Sequence, residues 1–161
     1  MADKGDEQNQ QSRKVVATNR KAFHDYHVLE RIEAGMRLTG NEVKSLRAGH
    51  CVIGDAHAMI EKKEDRAWLH NLQIPEYSRG NQIEVYEPKR KRALLLHRGE
   101  ILKLRQKLLE KGLTLVPLSI YFRGGYAKCE LGLCKGKKLY DKRESLKERD
   151  AKREIARRVR Q

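Results

Sequence analysis

LTLVPLSIYFRGGYAKCELGL, residues 113–133, reads as two extended runs joined at Arg123-Gly124-Gly125. After the turn, Ala127, Cys129, Leu131 and Leu133 fall on one face and Tyr126, Lys128 and Glu130 on the other. That period of two belongs to a half-buried strand. Glycines between two such runs favour a tight hairpin, because they accept the positive φ that matches strand twist. Pro117 interrupts the first run and donates nothing to a ladder, so it predicts an edge or a bulge.

Working outward, His97 to Lys111 predicts a helix: Ile101, Leu104 and Leu108 recur at i, i+3 and i+7, and Leu102 and Leu109 widen the stripe. Gly112 supplies its stop. Further upstream, Ala56, Ala58 and Ile60 alternate against His57 and Met59. A charged turn (Lys62 to Arg66) leads to a return strand over Ala67 to Ile74, ended by Pro75. Residues 76–92 predict mostly loop, with Ile83, Val85 and Tyr86 as candidates for a short strand. Tyr26, Val28 and Ile32 share one parity and predict a strand that passes Gly35, read as a bulge or bend, into Leu38. Asn41 to Arg47 predicts a helical turn with Asn41 as N-cap. The order of three strands, a helix and two strands predicts a mainly β fold with flanking helices, an OB-type partly open β-barrel. Other small barrels share similar orders, so the pattern alone leaves them open.

Charge divides the chain. The formal net charge is +14 over 161 residues. Residues 135–161 hold 12 Lys/Arg against 5 Asp/Glu, half of the excess, while residues 1–14 hold three of each sign. This predicts a disordered leader (1–14), a body (15–134) and a basic tail (135–161). Such an excess favours a polyanionic partner, though charge alone does not separate nucleic acid from acidic lipid. No apolar run reaches the roughly 18 residues a membrane helix needs. The N-terminus lacks the apolar core of a secretory signal, so a cytoplasmic location is expected. Cys51, Cys129 and Cys134 cannot pair fully, and their spacing is not that of structural zinc.

No GxSxG, HExxH or GxGxxG occurs, and Gly132 to Lys137 misses the P-loop spacing, so neither an enzyme nor a cofactor is expected. Asn19-Arg20-Lys21-Ala22-Phe23-His24-Asp25-Tyr26 mixes cations, an amide and aromatic rings. It reads either as a site that holds phosphates while a ring stacks on a base, or as a polar loop from which Tyr26 starts the core. Lys44 with Arg47, and Lys91 and Arg92 within the run Lys89 to Arg92, suit a phosphate backbone or simply water. In the tail, Ser145 and Glu148 form a capping-box pattern, and Glu148/Lys152 and Glu154/Arg158 are favourable i,i+4 pairs. Leu146, Ile155 and Val159 are too few for a continuous stripe, so the tail is expected to be helix-forming but disordered when free.

NRKAFHDY (19–26), EAGMRLTGNEVKSLR (33–47), LLLH (94–97), GLTLVPLSIYF (112–122) and GKKLYDKR (136–143) together resemble the SsrA-binding protein (small protein B) family. The resemblance implies an OB-type protein that partners transfer-messenger RNA in trans-translation. Such a protein binds the tRNA-like domain and brings it to stalled ribosomes. Its tail is expected in the empty mRNA channel of the small subunit, beyond the decoding centre. A monomer per RNA is expected. By the same resemblance Asn19, Lys21, Tyr26, Glu33 and Leu95 would face RNA, and His24 would approach the decoding centre. Glu33 would accept hydrogen bonds from base or ribose, or else orient a neighbouring cation. Gly136, Lys137, Lys138, Asp141, Lys142 and Arg143 would carry the tail's role on the ribosome. Competing readings are a structural ribosomal protein with a basic extension and an RNA-processing enzyme.

Overall fold

A computed structural model describes residues 13–77 and 85–160. Its strands are β1 (Lys14–Thr18), β2 (Tyr26–Met36), β3 (His57–Glu61), β4 (Arg66–His70), β5 (Arg92–Leu95), β6 (Leu113–Arg123) and β7 (Tyr126–Gly136). Its helices are α1 (Arg20–Asp25), α2 (Gly40–Arg47), α3 (Arg98–Leu108) and α4 (Leu139–Val159). The strands form one antiparallel sheet in the order β1-β6-β3-β4-β5-β2-β7, and β6 also pairs with β7. Six strands therefore run in a ring, with β1 added outside on β6. Two seams are thin: β3 meets β6 only at Ala58↔Leu115, and β5 meets β2 only at Gly35↔Leu95 and Met36↔Leu94. The result is the expected mainly β, OB-type, partly open architecture with flanking helices.

The long hairpin forms as its sequence indicates, from Leu113↔Lys135 to Arg123↔Tyr126. Pro117 marks a bulge and not an edge, since β6 has partners on both sides and its register shifts between Pro117 and Ser119. The inserted residue flips the parity of everything beyond it. Leu115 before the bulge, and Ile120 and Phe122 after it, all face the main core. Val116 and Leu118 face a second cluster with Ala22 and Cys134. β2 repeats the device between Val28 and Glu30. Val28 thus packs on the second cluster and Ile32 on the main core, although simple alternation put them on one face.

Gly35 carries no bulge. It pairs in register with both Leu95 and Lys128, and a side chain there would meet Leu95 Cβ at 3.1 Å, so its use is close approach. The N-cap of α2 is Thr39, not Asn41: Thr39 and Glu42 form a reciprocal capping box. The Asn41 side chain instead accepts from the Tyr77 amide at 2.8 Å. Ser145 lies inside α4, where its hydroxyl donates to the Asp141 carbonyl at 3.0 Å, so it caps nothing.

β1, α1 and β5 were not anticipated as regular elements. β1 starts at Lys14, and Arg13 already bonds the body, so these two residues of the expected leader belong to the fold. The candidate strand at Ile83, Val85 and Tyr86 falls partly outside the described residues. Arg92 explains why β5 was hidden. A basic run reads as solvated, yet the Arg92 side chain is 0% exposed and ion-paired with Glu42, itself 1% exposed. Arg92 also donates to the carbonyls of Leu72 at 2.5 Å and Pro88 at 2.9 Å. Burial works against the Glu42 charge, but Arg90, the Thr39 amide and Arg92 together hold its carboxyl below the usual range. Arg92 is therefore a core clamp, with no exposed side-chain surface where a phosphate contact was expected.

Candidate nucleic-acid interface

The candidate residues separate into a cluster around α1 and a patch on the outer sheet, with others apart. α1 is held by Asn19, whose side chain accepts from the Ala22 amide at 3.1 Å and donates to the Pro117 carbonyl at 2.9 Å. Asn19 is 2% exposed, so its side chain is turned into the body and offers almost no free surface. It works as an N-cap that positions the cations behind it. Arg20 and Lys21 are exposed, with Lys21 Nζ 3.5 Å from Asp55. His24 Nδ1 lies 2.8 Å from the Asp25 carboxylate. Tyr26 ends α1 and opens β2, paired with Gly136. Lys21, Asp25, Tyr26, Asp55, His57 and Thr114 line a cleft of about 340 Å³ beside this turn.

The tail starts at the same place. Lys137 donates its amide to the Asp25 carbonyl at 2.9 Å and its ammonium to the Phe23 carbonyl at 3.1 Å. Asp141 lies 3.4 Å from His27 Nε2, and Lys142 lies 3.6 Å from Asp25. Gly136, Lys138 and Arg143 are exposed. Chiefly the hydrogen bond from His24, with the Lys142 charge adding to it, holds the Asp25 carboxyl below its ordinary value. His27 and the Lys138 amide do the same for Asp141. Beyond this root α4 has no buried residue.

Glu33 and Leu95 sit on the outer face of β2 and β5. The Tyr121 hydroxyl donates to Glu33, and Arg123 Nη1 lies 2.7 Å away. Arg13 stacks 3.7 Å above the Tyr121 ring while bonding Glu130 at 2.8 Å and Ser119 at 2.6 Å. Burial, and then the bond to Glu33, push the Tyr121 hydroxyl well up, so it stays a donor at neutral pH. Of the two roles considered for Glu33, this geometry supplies the orienting one, toward Arg123. Leu95 is 58% exposed and packs across Gly35.

The remaining candidates lie elsewhere. Lys91 places its ammonium 4.4 Å from the Trp68 ring centre. Lys44 and Arg47 are exposed on α2, with Arg47 5.3 Å from the Phe122 ring. Among the described residues no group of three or more His, Cys, Asp or Glu converges as metal ligands. No described helix is long and apolar enough to cross a membrane.

A family model described as SmpB protein matches residues 16–161. The chain belongs to the SmpB family. An SsrA-binding protein of Carboxydothermus hydrogenoformans is 56% identical over 147 residues, covering 91% of this chain and 97% of that one. An SsrA-binding protein of a Sulfurihydrogenibium species is 58% identical over 144 residues, covering 89% and 93%. A solved structure described as "tmRNA-SmpB: a journey to the center of the bacterial ribosome" superposes with a TM-score of 0.63 at 50% identity. That match covers 76% of this chain and 85% of the other.

Within this SmpB fold, sequence reading missed Asp25, His27, Tyr121 and Arg123. Asp25 carried a signal, as the acid beside His24. His27 and Asp141 are far apart in the chain, and only the closure of β2 on β7 brings them together. Nothing in the spacing of Glu33, Tyr121 and Arg123 pointed to a triad.

Proposed function

We propose that this protein is a noncatalytic RNA-binding adaptor for ribosome rescue. It binds the tRNA-like domain of transfer-messenger RNA and delivers it to stalled ribosomes, where the tail enters the empty mRNA channel. The observation that carries this reading is the family match over residues 16–161, which takes in body and tail together. Charge supports it. Arg20 and Lys21 on α1 lie next to the tail root with exposed Lys138 and Arg143, which concentrates cations where phosphates would release counterions. The tail supports it as well. A 21-residue helix with no buried side chain gains little from its own chain, and a polyanionic channel would supply the missing partner. The adaptor works in the cytoplasm as a monomer per RNA, with no metal or cofactor.

Sequencing the RNA that copurifies with the protein from its own cells tests the first half: one enriched RNA with a tRNA-like end is expected, and bulk ribosomal RNA alone would overturn it. Truncation after Leu139 tests the second. Binding to the tRNA-like RNA should persist while peptide tagging is lost. Loss of binding would make the tail a general affinity element.

A further inference from the structure

We propose that Asp25 is a positioning residue joining the His24 ring to the root of the tail, and that Lys137, Asp141 and Lys142 act inward as parts of this joint. The inference deepens the rescue reading, but its contacts lie within one chain and are measurable without RNA. Asp25 is used three times. Its carboxylate meets His24 Nδ1 at 2.8 Å and Lys142 Nζ at 3.6 Å, and its carbonyl accepts from the Lys137 amide at 2.9 Å. Two further ties flank it: Asp141 with His27 at 3.4 Å, and Lys137 Nζ with the Phe23 carbonyl at 3.1 Å and Ser145 Oγ at 2.9 Å.

Two consequences follow from elementary chemistry. An ionised carboxylate only accepts hydrogen bonds, so the proton of a neutral His24 ring must sit on Nδ1. Nε2 is then left as the acceptor that the ring offers outward. The inward residues also cancel, since Asp25 and Asp141 balance Lys137 and Lys142. The segment GKKLYDKR is therefore divided. Lys138 and Arg143 stay exposed and carry its attraction for phosphates, while Lys137, Asp141 and Lys142 fix where α4 leaves the ring. Each of these ion pairs alone is weak at a half-exposed site. Together they act on one short segment, between a backbone hydrogen bond that extends the β2–β7 ladder and the first turns of α4.

The test uses the full-length free protein, reading the His24 ring nitrogens by NMR and the exchange of amides in the first two turns of α4. Asp25→Asn keeps an oxygen for His24 but removes the attraction for Lys142. The Nδ1–H form should persist while exchange in α4 rises about two- to fivefold, the scale of one half-exposed ion pair. Asp25→Ala should release both, moving the ring proton to Nε2. Lys142→Glu should raise exchange at least as much, and Asp25→Lys with Lys142→Glu should bring it back. Unchanged exchange in both Asp25→Asn and Lys142→Glu, or failure of the reversed pair to restore it, overturns the proposal. Binding to the tRNA-like RNA adds a second readout. Lys138→Ala should lower the slope of log affinity against log salt by about one, and Lys142→Ala should leave it unchanged. Equal slopes for the two variants would overturn the division of the segment. Absence of RNA binding altogether would count against the rescue reading, and the free-protein measurements would still decide the joint.

Discussion

The ring and the tail helix both depend on charge, but under different conditions. In the ring, Glu42 and Arg92 are 1% and 0% exposed, locked to each other, to Arg90 and to the backbone carbonyls of Leu72 and Pro88, which they hold near α2. In α4, 21 residues run from Leu139 to Val159 without one buried side chain, and the Glu154–Arg158 pair at 3.0 Å stands in water. Buried charge must be matched group for group, so it specifies one arrangement. Solvated charge is screened and tolerates substitution, so it suits a segment whose partner arrives later. The same residue types thus build a rigid reader and an adaptable arm.

That contrast breaks most easily at Glu42. Glu42→Ala leaves Arg92 buried without its carboxylate and should cost about 3–5 kcal/mol in urea unfolding; a loss under about 1 kcal/mol would mean the clamp is not specific. Acid should act in the same direction. The folded carboxyl lies below its ordinary value of 4.5, so its stabilisation is complete above that pH and is lost as pH falls through the folded value. The next largest effect is expected at Gly132, where an added Cβ would lie 2.9 Å from both Leu118 Cδ1 and Cys134 Sγ. Gly132→Ala should destabilise the body by roughly 1–3 kcal/mol, read as a shifted urea midpoint at constant slope.

Asn19→Ala should cost about 1 kcal/mol, the scale of a lost cap, and raise amide exchange in α1 before the rest of the ring. Its affinity for RNA should fall through that fraying, and a variant with α1 intact but weak binding would make Asn19 a direct contact after all. At the small end, Ile155→Ala should move body unfolding by less than about 0.5 kcal/mol. A larger shift would show that the distal tail packs on the ring.

Much of this fold was legible because period and turn chemistry are local. Residues 113–133 announce their hairpin, and the stripe Ile101, Leu104, Leu108 announces α3. The bulges at Leu29 and Leu118 were not legible, since each is one inserted residue whose effect appears only when a partner strand fixes the register. Pro117 marked one of them but left edge and bulge open. In the candidate interface, the cations of α1 and the GKK and DKR segments could be read directly. Asn19 and Arg92 could not, because an amide at a cap and a guanidinium in a core look the same in sequence as exposed ones.

By itself, then, the sequence determined a β-rich body with a basic arm, and through its motifs the family to which both belong. Those are properties of residue type and short spacing. Tertiary structure alone decided which charges are buried, which of two cores each side of β6 faces, and that Asp25 and His27 meet residues more than a hundred positions away. Such facts depend on ring closure, which places β2 against β7 and carries the start of the tail back to α1.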